Sequence, residues 1–365
     1  MSIAHVSGLA LVAGLGLVVA ACGGGAAAEA PAPACGATLT SSTTLSTDLV
    51  HCPGTALVIG ADGITIDLAG HTISGTNAAG SEGIASDGHA NVRIVGGRIT
   101  DFRINGVGIR GGSGNLVRGV TVRRIGEGGV EGEPVSAGIL ISGSPRSRVI
   151  GNDVSNDVKA WQADGVDVLD SPGSVVRRNR LVRNSWNGLT LLGSARSRVA
   201  HNVFDHNGNN GTEVNGKSDS AAVVANRARA NKQFGIVVGS AHRVRVVRNT
   251  VAKNNTGFLF FDLNDSLISA NRARLNGEDG LVLSGGQFGS DGNRLARNVA
   301  NGNHGAGIAI VEDNKGHAAG NSLKGNTAKR NGGPGIDAVP GTIDKGGNRA
   351  SGNANPQCVN VVCST

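Results

Sequence analysis

Short runs of alternating apolar and polar residues recur along the chain between clusters of Gly, Asn, Asp and Ser: GIVVG at 235–239, RVRVV at 243–247 and GLVLS at 280–284 are typical. A period of two over three to five residues predicts short strands ended by tight turns. A Gly followed by an apolar or β-branched residue marks each unit, at Gly63, Gly83, Gly108, Gly138, Gly165, Gly188, Gly211, Gly235, Gly257, Gly280, Gly307 and Gly335. An asparagine series runs in phase with it, through Asn179, Asn202, Asn226, Asn249, Asn271, Asn298, Asn326 and Asn348, and each of these has another Asn five residues later. A unit of about 23 residues with three short strands buries no apolar face alone. Stacked coils do, with each strand about 4.8 Å above its equivalent. An inward Asn at a coil turn satisfies backbone N–H and C=O groups and tolerates a left-handed turn conformation. No unit holds a helical stretch or the LxxLxLxxN signature, and propeller blades need roughly 40 residues each.

Composition agrees with a folded array. Of 365 residues 59 are Gly, 39% are hydrophobic and 2% aromatic, and the net charge of +7 is small for the length. A disordered chain would be less apolar and more highly charged, and a single globular core would draw on more aromatics. The stretch GADGITIDLAGHTISG at 60–75, followed by units such as GIVVGSAHRVRVVRNTVAKN, resembles the bacterial right-handed parallel β-helix repeat family with its pectin-lyase-like fold. The resemblance spans roughly residues 36–355. It implies an all-β, single-stranded right-handed parallel β-helix of about 12 coils of roughly 23 residues. The expected organisation is a cap at 35–55, the helix at 56–355 and a disulfide-closed tail at 356–365. Extended units at 125–137 and 285–292 insert loops into regular coils.

The first 21 residues read as an address. The apolar run from Leu9 to Ala21 is shorter than the ~20 residues that span a bilayer. It ends in Val19-Ala20-Ala21-Cys22 and resembles a bacterial lipoprotein signal, which implies acyl chains on the Cys22 sulfur and a lipid anchor as the only membrane attachment. The first eight residues lack the usual Lys or Arg, so cleavage near Ala21 and free secretion is the alternative. Residues 22–34 form a Gly- and Ala-rich tether. Cys35, Cys52, Cys358 and Cys363 stand as two local pairs at the ends of the repeat region, and in an exported protein they read as two disulfides.

Chemistry is sought on the outward face of the strands that begin at the Gly markers, where substrates lie in this fold family. Two residues past the Gly, successive coils carry Asp167, Thr190 and Glu213 and then Val237 and Leu259. Asp164, Asp170, Asn215 and Lys217 surround them, with Trp161 and Trp186 just ahead of the strands as candidate sugar platforms. Asp167 and Glu213, two coils apart, would stand about 9.6 Å from each other, near the upper end of the ~6.5–9.5 Å used by inverting glycosidases. Alternatively, Asp164, Asp167 and Asp170 hold Ca²⁺ against a uronate carboxylate while Lys217 or a nearby Arg takes the neighbouring proton in a β-elimination; no other metal or cofactor is implied. Asp164-Gly165-Val166-Asp167 resembles half of the polygalacturonase pattern NTDGxD. Ala163 precedes it, however, and neither the other elements of that family nor the pectate-lyase WxDH is present. The plain alternative is that these acids are turn and solvent residues. His201 and His206 read as turn residues.

Arg148, Arg198 and Arg245 each lie four residues before an in-phase Asn, and Arg146, Arg196 and Arg243 six before. They predict outward columns of closely stacked cations whose repulsion a bound polyanion would relieve. With base-stacking aromatics scarce, nucleic acid is not the expected partner; acidic polysaccharide is. Three functions therefore stay open for an exported cell-envelope protein: a polysaccharide-binding scaffold; a lyase, hydrolase or epimerase acting on uronate-containing glycans; and an adhesion protein with protein partners.

Overall fold

The computed structural model describes residues 32–131, 135–156, 162–313 and 316–365. The signal, Cys22, most of the tether and Trp161 lie outside them. No α-helix occurs among the described residues. The strands of each coil go in turn to three sheets, and every pairing is parallel. The first sheet has 14 strands, from Ala37–Leu39 to Cys358–Val359, the second 13, from Thr43–Thr44 to Ile343–Asp344, and the third 14, from Leu49–Cys52 to Cys363–Ser364. The array is thus about 14 coils, two more than the Gly markers suggest, because residues 37–52 and 358–364 pair as terminal coils.

The Gly series needs two corrections. Gly63 sits in a left-handed turn, φ 71°, before the second-sheet strand Thr65–Asp67. In the strand Asn105–Arg110 the ladder member is Gly106, not Gly108. From Gly83 onward the ladder glycines stack so that a side chain on one would strike the carbonyl of the next.

The interior is a column of Val, Ile, Leu and Ala, widened where Phe204, Phe258 and Phe260 fill it, the last two with ring centroids 5.9 Å apart. Two asparagine ladders run beside this column. Asn202 shows the pattern. Its Oδ1 accepts the Asn179 backbone N–H at 2.9 Å and Nδ2 at 3.0 Å, while its own Nδ2 donates to Val176 O and to Asn226 Oδ1, both at 3.0 Å. Every valence of the buried amide is used, and the bonds repeat coil after coil. The ladders also take in the in-phase Asn152 and, upstream of the second series, Asn156. The left-handed residue of the first ladder's turn is the one before the Asn, as at Arg178, His201, Arg248 and Arg297, with φ of 55–59°. The Asn hydrogen bonds offset the roughly 1–2 kcal/mol this conformation costs a non-Gly residue. Disulfides join Cys35 to Cys52 and Cys358 to Cys363.

Candidate functional site

Pairing in the first sheet places Asp167, Thr190, Glu213, Val237 and Leu259 in one row, as the count from the glycines predicts. A second row, immediately before the ladder glycines, holds Asp164, Asn187 and Asn210, because Gly165 N–H donates to Asn187 O and Gly188 N–H to Asn210 O, each at 3.0 Å. Gly165 cannot be replaced here, since a Cβ would lie 2.5 Å from Gly188 O and 2.8 Å from Asn184 Nδ2. In an ideal strand, residues three apart face opposite ways. Here Asp164 and Asp167, on either side of this glycine, nevertheless come within hydrogen-bonding reach of each other.

Both carboxyls are buried, which favours their neutral forms. Asp164 is the better solvated of the two by protein groups. Its Oδ1 accepts the Asn187 N–H at 2.7 Å, its Oδ2 accepts the Thr190 hydroxyl at 2.7 Å, and Asp167 donates to it as well. Burial outweighs these donors, and its pKa is pushed up to about 6. Asp167 rises further above the usual carboxylate range, first from burial, then from the Asp164 charge and from the hydrogen bond it gives Asp164. Its Oδ1 has no hydrogen-bond partner. Both shifts favour a proton kept between the two carboxyls, with Asp167, which donates the hydrogen bond, the acid side of the pair and Asp164 the acceptor. Glu213 is half-buried and loosely held, by Asn187 Nδ2 at 3.5 Å and Asn215 Nδ2 at 3.4 Å. Asn187 completes the network by donating to Thr190 Oγ1 at 3.0 Å.

Asp164, Asp167, Thr190, Glu213 and Asn215 thus come together. Asp170 does not. It is exposed in a left-handed turn, φ 46°, past the end of the strand Ala163–Leu169, and no group of three or more acidic, His or Cys side chains able to hold a metal ion occurs among the described residues. The proposed Ca²⁺ set is therefore not assembled. Lys217 is likewise exposed in a turn, φ 65°, two residues beyond the strand Thr212–Asn215, with no hydrogen bond to the acids. Trp186 is half-buried directly before Asn187, at the rim of the cluster. His201 and His206 are left-handed turn residues.

Sequence reasoning missed Asn187 and Asn210, which precede ladder glycines and would have been found by reading one residue upstream of each marker. It also missed Glu82, buried three coils earlier on the same face. This carboxylate takes Asn105 Nδ2 at 2.5 Å and the Arg110 guanidinium. Phe261 was overlooked too; its ring lies over Gly239, whose missing side chain makes room for it, in the row that follows Asn215.

Arg148, Arg198 and Arg245 lie on the second sheet, exposed and away from the carboxyls. They are not closely stacked. Arg148 pairs with Val175, which pairs with Arg198, and Arg198 with Ala222, which pairs with Arg245, so a neutral residue separates successive cations.

The family described as right handed beta helix region matches residues 37–228, 131–262 and 223–354. No curated protein matches the chain. Among solved structures, the periplasmic alginate epimerase AlgG is similar at 16% identity and a TM-score of 0.63, over 87% of this chain and 77% of that one. The catalytic unit of a thermostable alpha-1,3-glucanase from Streptomyces thermodiastaticus strain HF3-3 is similar at 13% identity and a TM-score of 0.61, over 88% and 64%. The Dettilon tailspike protein is similar at 17% identity and a TM-score of 0.51, over 90% and 62%. At these identities the likeness is one of fold.

Proposed function

The chain belongs to the right-handed beta helix family, and from that premise we propose that it is an exported cell-envelope protein that binds polysaccharide lengthwise along its stacked coils. The glycan site is the outward face of the first sheet, centred on Asp164, Asp167 and Glu213. The observation that carries this is the buried, proton-sharing pair, with an Asp167 oxygen left unpartnered on a face otherwise lined by amides and a hydroxyl. A fold does not need such a pair, and a hydroxyl-rich ligand can complete it. That two similar folds are named for alginate and glucan supports the choice of ligand class. Two disulfides support export, and the Cys22 motif supports a lipid anchor.

The same pair favours a second reading, glycoside hydrolysis. Asp167, whose burial and Asp164 neighbour favour its protonated form, gives its proton to the leaving glycosidic oxygen as the C–O bond breaks. Glu213, about 9.6 Å from Asp167 on the register spacing, takes a proton from the water that attacks the anomeric carbon.

Purified protein incubated with polyuronates and neutral glucans, with binding and new reducing ends both followed, tests the two readings. We expect binding to at least one glycan, weakened about tenfold in Glu213→Gln. If reducing ends appear and vanish in Asp167→Asn, the hydrolytic reading holds; binding without them leaves the scaffold reading. Failure to bind every glycan sinks both. For the anchor, Cys22→Ser should move the protein from the membrane fraction to the soluble one.

A further inference from the structure

One outward row of the second sheet follows a two-coil rule, while the neighbouring outward row carries Arg118 and Arg177 in two of the intervening coils. Arg93, Arg148, Arg198, Arg245 and Arg294 occupy a single register row. Leu116, Val175, Ala222 and Leu267 fill the coils between them. The five arginines are exposed, and none has an ion-pair partner among the described residues. Two coils correspond to about 9.6 Å, longer than the ~8 Å screening length at physiological salt. Within this row successive cations are thus screened from one another, where a continuous column at half that spacing would repel itself. Arg146, Arg196 and Arg243, exposed in left-handed turns, fall in the same coils as Arg148, Arg198 and Arg245 and double the charge at each step. Past Arg294 the row runs into a groove of about 380 Å³ lined by Lys324 and Lys345.

The third sheet provides the contrast. Its outward cations also skip coils, but Arg180 pairs with Asp153 at 3.2 Å and Arg227 with Asp205 at 2.6 Å, so much of that charge is neutralised from within.

We propose that the second-sheet arginine row is a polyanion track, separate from the first-sheet carboxyl site, whose ligand is an acidic polysaccharide laid along the axis with charges recurring at about 9.6 Å or half of it. The proposal rests on the polysaccharide reading for the class of ligand and on the charge pattern for its acidity. Apolar side chains between the arginines, with no aromatic ring among them, give the row nothing on which bases would stack.

The test uses the full chain and measures the affinity for oligogalacturonates of graded length, neutral malto-oligosaccharides and single-stranded oligothymidylate at several salt concentrations. One variant combines Arg148→Gln, Arg198→Gln and Arg245→Gln. A charge-matched control combines Arg180→Gln, Arg227→Gln and Arg272→Gln, and melting curves confirm that each is folded. Oligogalacturonate affinity should rise with length up to the ~38 Å span from Arg93 to Arg294 and fall with salt. It should drop about tenfold or more in the second-sheet variant and less than about twofold in the control. Equal losses in both variants would mean a response to net charge and would overturn the track, as would tighter binding of the oligothymidylate. Oligogalacturonate binding lost in Glu213→Gln but kept in the second-sheet variant would overturn the track while leaving the polysaccharide reading intact. Binding of no glycan at all would remove both.

Discussion

A carboxyl that keeps its proton in the folded state but loses it in the unfolded chain makes stability fall as pH rises. Asp164 and Asp167 both have folded pKa values above their ordinary ones, so unfolding releases protons over a window that opens near pH 4, passes about 6 for Asp164 and extends higher for Asp167. Below that window both states are protonated and the pair costs nothing. Above it, the penalty is on the order of 2–3 kcal/mol for Asp164 alone. The melting temperature of the wild type should therefore fall between pH 4 and 8, whereas Asp167→Asn, which removes one of the two titrating carboxyls while keeping the shape, should flatten that profile. An unchanged profile in the variant would show that the two carboxyls do not share a proton. At this scale the sequence was half legible. Counting from the Gly markers picked out Asp167, Thr190 and Glu213, because a regular strand sets their direction. Asp170 and Lys217 were misjudged, because proximity in sequence says nothing about a left-handed turn that carries a side chain off the sheet.

Among the elements, the turns are the more demanding part, since each coil must satisfy its backbone where no neighbouring strand helps. Asn226 accepts from Asn202 N–H and Nδ2 and donates to Val199 O and Asn249 Oδ1. Asn226→Ala strands those partners in a dry interior and should destabilise by on the order of 3–5 kcal/mol in chemical denaturation. The same change at Asn353, half-buried at the end of its ladder against Gln357, should cost less. Similar losses at both sites would mean that the ladder gains nothing from its length. These ladders were legible because a repeating architecture needs the same residue type at each turn, so the requirement appears as a period. The ladder member Gly106 was hidden because Gly108 fits the same local pattern two residues on, where the chain faces Glu82 instead.

For the whole molecule, stability is distributed along an axis, and each coil answers mainly to its neighbours. The Cys35–Cys52 bridge, with a separation of 17 residues, pins the first coil and is worth about 3 kcal/mol in the chain-entropy model. Cys35→Ser with Cys52→Ser should speed amide exchange in the strands Ala37–Leu39 and Leu49–Cys52 and leave the strands around Glu213 protected; loss of protection throughout would mean that the molecule melts as one unit. Because the second-sheet row from Arg93 to Arg294 carries an arginine in every other coil, the chemical repeat of that row is twice the structural one. Removing a single turn from the middle would keep the backbone continuous yet shift all later cations into the gaps of the earlier series, whereas excising two adjacent turns would restore the alignment. The molecule can thus change length freely in architecture, but only by even steps if that face is to stay in phase with itself.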